Sequence, residues 1–305
     1  MREAAARLPK IAVFGVPSAA GASGPGGERG AFALREAGLL EALRGIGARV
    51  VNLSDLSLFP WREDAEHPRA RNLALAACAA RATADEMPRA LAEGFTLLLG
   101  GDCSILAGSV GGAARALGRA VGLVYLDADL DLNTPDTTPS GNLNGMAVAA
   151  ALGHGAPALV TAGGTPPALA PEHVAILGYR AVDPGERVPQ RELALTRSAD
   201  EVRAKGGARA ASEALAAIAN DDGPLLVHLD VDVIDGSELG AKAPLTPGPG
   251  LRWTEIEALL MALLHSPRVA VLEVCEFNPL LDPGGASARK LVALITKAVA
   301  ARLSA

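Results

Sequence analysis

Eight short apolar runs of β type recur along the chain, separated by polar loops or by Ala/Leu-rich stretches of helical length. They read KIAVFGV, RVVNL, FTLLLGG, VGLVYLDAD, VAILGY, LALT, PLLVHLDVDV and RVAVLEV. No other feature constrains the fold as much. Parallel neighbouring strands must be joined by a crossover of a dozen or more residues, usually a helix. Strand and helix in alternation therefore predict βαβ units in an α/β fold, with a mostly parallel sheet of about eight strands in a three-layer α-β-α arrangement. Runs that are apolar at every position, rather than at every second one, belong to strands covered on both faces. Helices are expected over 32–44, 72–94, 199–219, 254–265 and 286–303. No linker, repeat or compositional break divides the 305 residues, half of them apolar. One domain over 1–305 with a large core is expected.

Charge and composition remove several function classes. The net charge is −6, with no basic run and no aromatic stripe, so a nucleic-acid surface is not expected. No apolar run reaches bilayer length. Three cysteines, Cys78, Cys103 and Cys275, are too few and too scattered for a disulfide framework and suit a reducing compartment. The opening MREAAARLPKIAVFGVPSAAGASG shares positive, apolar and small-residue stretches with a signal peptide. Its apolar run is short and β-rich, however, and ends at Gly-Val-Pro as a strand would, so a cytoplasmic protein is expected. The glycine-rich GASGPGGERG lacks the Gly-Lys-Ser/Thr ending of a phosphate loop and reads as a surface loop entering a helix.

Four strand ends are acidic or polar: GGDCS (100–104), DADLD (127–131), HLDVDVID (228–235) and EVCEFNP (273–279). In an open α/β sheet, ligands gather where loops leave the carboxyl ends of strands. Residues two apart on a strand share a face, so Asp127, Asp129 and Asp131 are expected to converge, as are Asp230 and Asp232. Five like charges in a buried place are expensive unless cations neutralise them. The pattern points to a divalent-metal site, binuclear where carboxylates bridge two ions about 3.5–4 Å apart.

At these motifs the chain resembles the arginase (ureohydrolase) family. That family's first metal strand reads Asp-Ala-His-x-Asp-x-Asn-Thr-Pro and leads to a Ser-Gly-Asn-Leu-His-Gly loop; this chain reads DADLDLNTPDTTPSGNLNG. GGDCS, HLDVD and EFNP are similar to the family's Gly-Gly-Asp-His-Ser, Ser-Phe-Asp-Val-Asp and Glu-Val-Asn-Pro. YRAVDPGE (179–186) and GPGGERGAFALREAGLLEAL (24–43) also look like family segments, so the likeness runs in order from about residue 10 to 300. It implies an arginase-like fold and two divalent ions, manganese in the family. Asp127 and Asp230 would bridge them, Asp131 would bind one and Asp232 the other. It further implies that Glu276 faces a substrate guanidinium, that Asn133, Thr138, Ser140 and Asn142 hold an α-carboxylate, and that Asp183 and Glu186 lie near an α-amino group. An amino-acid substrate and a homo-oligomer, a trimer or a pair of trimers, are the corresponding expectations.

The departures concern the family's histidines. Cys103 and Asp129 stand where the family has histidine ligands, and Asn144 stands where it has a histidine in the substrate loop. None of His67, His154, His173, His228 and His265 occupies a family histidine position; His228, on one strand face with Asp230 and Asp232, reads as a core residue. Five carboxylates and a thiol bring more negative charge than four carboxylates and two imidazoles, so metal Lewis acidity should fall. A thiolate favours zinc or iron, whereas carboxylates favour manganese, magnesium or calcium. Asn144 cannot titrate and so cannot pass a proton to a leaving amine. Two readings follow. One is a metal-dependent amidinohydrolase acting on a guanidino or formimino C–N bond of arginine or a related amino acid. The other is a non-catalytic relative that keeps a metal or amino-acid pocket as a binding or partner subunit.

Overall fold

The computed structural model describes residues 9–218, 220, 222–240 and 246–305. The chain runs β1 (Lys10–Gly15), α1 (Gly30–Glu36), α2 (Leu39–Gly45), β2 (Arg49–Asn52), α3 (Leu73–Glu93), β3 (Phe95–Leu99), α4 (Leu106–Leu117), β4 (Gly122–Leu126), α5 (Ala147–Ala151) and α6 (Pro157–Val160). It continues with β5 (Val174–Tyr179), β6 (Leu195–Ser198), α7 (Ala199–Lys205), α8 (Gly207–Ala217), β7 (Leu225–Asp230), α9 (Trp253–Leu264), β8 (Val269–Cys275) and α10 (Ala286–Leu303). Each apolar run contains or overlaps one of the eight strands. They form one sheet in the order β2-β1-β3-β8-β7-β4-β5-β6, and every pairing is parallel.

Two cores lie on the two faces of this sheet. On one, Leu34, Leu43, Ala210, Leu259 and Leu291 from α1, α2, α8, α9 and α10 pack against Val13, Leu97, Val227 and Leu272. On the other, Ala80, Val110 and Val148 from α3, α4 and α5 pack against Phe14, Leu98, Leu123 and Leu226. Strands sandwiched this way need apolar side chains on both sides, and β3 and β4 are buried throughout.

Two expected helices are each divided in two. The stretch 32–44 breaks at Gly38, whose φ of 91° starts α2 afresh. The stretch 199–219 breaks at Gly206, φ 84°, between α7 and α8; its last residue, Ala219, lies outside the described residues. Glycine enters this left-handed region without the Cβ penalty other residues meet. The run after Lys10 is strand β1, as its β-rich composition predicts; residues 1–8 lie outside the described set. Among the described residues no helix is long and apolar enough to cross a membrane.

Candidate metal centre

Strands β3, β8, β7 and β4 are consecutive neighbours in the sheet, so the four polar strand ends open into one place. They meet at the base of a cavity of about 380 Å³ lined by Asp127, Asp131, Asp183, Asp230, Asp232 and Glu276, among others. Single ligand atoms of Asp127, Asp230 and Asp232 lie within 4.8 Å of one another, as do those of Cys103, Asp127 and Asp131, and those of Cys103, Asp230 and Glu276.

The route to this convergence differs from a shared strand face. β4 ends at Leu126, before the aspartates begin. Asp127 Oδ1 accepts from Asp129 N at 2.7 Å, which curls the chain, and Asp131 then turns with φ 52°. Asp230 caps a short 3-10 turn, Val231–Val233, accepting from Asp232 N at 2.7 Å through Oδ1. Asp232 Oδ1 in turn accepts from Ala128 N at 3.1 Å, which ties the two loops together. Asp129 leaves this cluster: its carboxylate accepts from the hydroxyl of Thr246, and it belongs to none of the close groups. The Pro/Gly loop 243–253 borders the cavity through Thr246 and Pro247; its residues 243–245 lie outside the described set.

Desolvation and mutual repulsion dominate the electrostatics of the buried carboxylates. Burial, and then repulsion from neighbouring carboxylates, pushes Asp127 and Asp230 well above the usual aspartate range. Burial does the same to Asp131, opposed by a 2.5 Å hydrogen bond from Tyr125 Oη. Burial raises Asp129 to about 6 and Glu276 to about 8. Arg180, the cation beside Asp129, spends its guanidinium on the carbonyls of Asp232 and Val233 at 3.1–3.3 Å. Among the described residues, Asp127 Oδ2 is buried with no hydrogen-bond partner. Buried, mutually repelling carboxylates with an orphaned oxygen fit divalent cations, so Asp127, Asp131, Asp230 and Asp232 could hold them.

Around the cavity wall, Asn133 Nδ2 donates to Asp183 Oδ2 at 2.9 Å, and Thr137 fixes the other end of that amide. Thr138 Oγ1 accepts from Ser140 N and Gly141 N, at 3.2 and 2.9 Å, and Ser140 Oγ accepts from Asn142 N at 3.2 Å. Glu186 is turned to the backbone: its oxygens accept from Leu132 N and Asp183 N, each at 2.9 Å, and burial lifts it to about 7. It fastens the loop that presents Asp183. Glu276, with φ 64°, has its Oε1 held by Asn144 Nδ2 at 3.1 Å and by Cys103 N at 3.3 Å.

Beneath the aspartates lies a polar row that the strand-end motifs did not reveal. Tyr125, His228 and Glu273 are register partners across β4, β7 and β8. Tyr125 stacks on His228 at 4.3 Å, and His228 Nδ1 lies 2.6 Å from Glu273 Oε1. His228 is a core residue, as read from the sequence, yet its Nε2 reaches Cys103 Sγ at 3.2 Å. The available signal was period two: Tyr125 and His228 sit two residues before Asp127 and Asp230, in YLD and HLD.

Comparison with known proteins agrees with these motifs. A profile of the Arginase family matches residues 9–301. The chain is 34% identical over 290 residues to an arginase of Bacillus caldovelox, covering 93% of this chain and 96% of that one. It is 35% identical over 297 residues to an arginase of Brucella melitensis, covering 93% and 94%. The native structure of the Bacillus caldovelox arginase superposes with a TM-score of 0.84 at 31% identity, covering 95% of this chain and 98% of that chain.

Proposed function

The chain belongs to the arginase family of hydrolases, and from that premise we propose that it is a metal-dependent amidinohydrolase. Its substrate would be arginine or a related guanidino or formimino amino acid. One observation carries the reading: Asp127, Asp230 and Asp232 converge, buried, in a cavity whose lining also includes Glu276 and the Asn133–Asp183 pair. When bound at Asp127, Asp131, Asp230 and Asp232, divalent ions would supply Lewis-acid activation of water and offset the carboxylate charge. Manganese is the ion we propose, by family likeness.

The remaining groups bind and orient. A guanidinium is a planar cation, and Glu276, whose Oε1 is held by Asn144 and Cys103, would offer it Oε2. Thr138 Oγ1 accepts two backbone N–H groups, which leaves its own O–H as a donor suited to a substrate carboxylate. Asp183, one oxygen of which is bound by Asn133, offers the other to an ammonium group. Asn144 holds no titratable proton, so a bound water or Glu276, in the same pocket, would have to hand the leaving amine its proton.

The test is a panel of guanidino and formimino amino acids offered to the manganese-loaded protein, with product release and calorimetric metal binding as readouts. Turnover of at least one compound is expected. Asp127→Asn with Asp230→Asn should abolish both tight metal binding and turnover. Ligand binding with no product from any compound would instead mark a non-catalytic amino-acid-binding relative, a reading that draws on the amide at Asn144.

A further inference from the structure

We propose that Cys103, Cys275 and His228 form a second, soft-metal site for a cation of the zinc or ferrous class, buried behind the aspartates and adjoining Asp230. The proposal stands on these side chains and not on the hydrolase reading. Cys103 Sγ, Cys275 Sγ and a His228 ring nitrogen all lie within 4.8 Å of one another, and all three residues are buried. Cys103 Sγ is 3.2 Å from His228 Nε2 and 3.2 Å from Asp230 Oδ2. In a tetrahedral zinc site, Zn–S of ~2.3 Å and Zn–N of ~2.0–2.1 Å put sulfur and nitrogen ligands about 3.5 Å apart, so small shifts accommodate an ion.

Two features turn proximity into a site. The first is the buried Glu273 carboxylate, 0% exposed, 2.6 Å from His228 Nδ1. Placed there, it keeps the ring proton on Nδ1 and leaves Nε2 as a bare lone pair aimed at the sulfur, the arrangement in which a carboxylate orients a metal-binding histidine. Among the described residues Glu273 Oε2 has no hydrogen-bond partner, so His228 is the group this buried carboxylate serves. The second is the crowding of polar atoms at Cys103 Sγ, which His228 Nε2 and Asp230 Oδ2 both approach at 3.2 Å in a place buried from water. A cation bound by two thiolates and the imidazole would take up the ring lone pair, and the two thiol protons pass to solvent as it binds. Sulfur with nitrogen favours zinc or iron, whereas the aspartates favour manganese or magnesium. The protein would thus hold a soft ion and hard ions side by side, with Asp230 between them.

Zinc K-edge X-ray absorption on the full-length protein, loaded with one and then two equivalents of zinc, tests this without a variant. The expected result is two sulfur scatterers per chain at about 2.3 Å by the second equivalent, with a histidine nitrogen at about 2.0–2.1 Å. An oxygen and nitrogen shell alone, or one sulfur per chain, overturns the proposal. With cobalt, a thiolate-to-metal charge-transfer band should appear and fall by about half in Cys275→Ser, one of two thiolates being lost. Glu273→Gln should keep the band while weakening cobalt binding on the order of 10–100-fold. Asp232→Asn should weaken manganese binding and leave the band intact; a band that disappears in Asp232→Asn, or is unchanged in Cys275→Ser, also overturns it. Absence of turnover alongside a sulfur shell would sink the hydrolase reading alone.

Discussion

Tyr125 shows how much a single buried side chain can set at this centre. Its hydroxyl donates to Asp131 Oδ2 at 2.5 Å and its ring packs on His228. That hydrogen bond is the main influence opposing burial at Asp131 and holds its carboxyl below where burial alone would put it. Metal binding needs the ionised carboxylate. Tyr125→Phe should therefore move the pH midpoint of manganese binding upward by about 1–2 units, the equivalent of a charged hydrogen bond of ~1.5–3 kcal/mol. Calorimetric titrations across pH provide the check, and an unmoved or lowered midpoint would contradict it. His228 matters at the same scale. It fills the space beside Cys103 at 3.2 Å, so a histidine introduced at Cys103 would meet another imidazole there.

The element that positions the most chemistry is the turn after β3. Asp102 caps the short 3-10 turn Cys103–Ile105 through Ser104 N at 3.0 Å and also accepts from Ser18 Oγ at 2.8 Å. Gly101 O receives Glu276 N at 2.7 Å. A Cβ added at Gly101 would lie 1.7 Å from the carbonyl oxygen of Ser18, which is backbone and cannot swing away. Gly101→Ala should therefore push the β3 turn off the Ser18 segment and drag Cys103 and Glu276 with it. We expect a stability loss on the order of 1–3 kcal/mol or more, with weaker metal binding. A melting temperature and manganese affinity equal to the parent's would show that the turn has room to adjust. The pattern GGDCS marks this turn as polar, but only the packing of Ser18 against it makes the second glycine indispensable.

Across the whole molecule, the concentration of buried acids makes stability depend on pH in a defined sense. Asp129, Glu186 and Glu276 are raised to about 6, about 7 and about 8 from ordinary values of 3.8, 4.5 and 4.5. Between about pH 4 and 8 the unfolded chain gives up these protons while the native protein keeps them, so the native state binds more protons and loses stability as pH rises. The metal-free protein should melt at a lower temperature at about pH 8 than at about pH 5. Because cations bind the ionised acids, the increment from added manganese should grow over the same interval. Melting curves with chelator and with manganese test both trends; a chelated protein more stable at the higher pH would refute the first.

The sequence by itself determined the eight strands, their parallel arrangement and the four polar strand ends. Those features follow from which side chains tolerate water on neither face, on one face or at a loop, and that preference is local. It also carried the family likeness through DADLDLNTP and SGNLNG. Tertiary structure decided the rest. Adjacency of β3, β8, β7 and β4 brings together ends that are far apart in the chain, and the left-handed turn at Asp131 points its carboxylate inward while Asp129 goes to Thr246. The parallel register sets Tyr125, His228 and Glu273 in one row and Asp230 opposite Cys275, and Cys103 and Cys275, scattered in sequence, become neighbours. The physical reason is that register between strands joined by crossovers is fixed by how helices and side chains pack over the whole sheet, a property of the assembled layers that no short stretch of sequence contains.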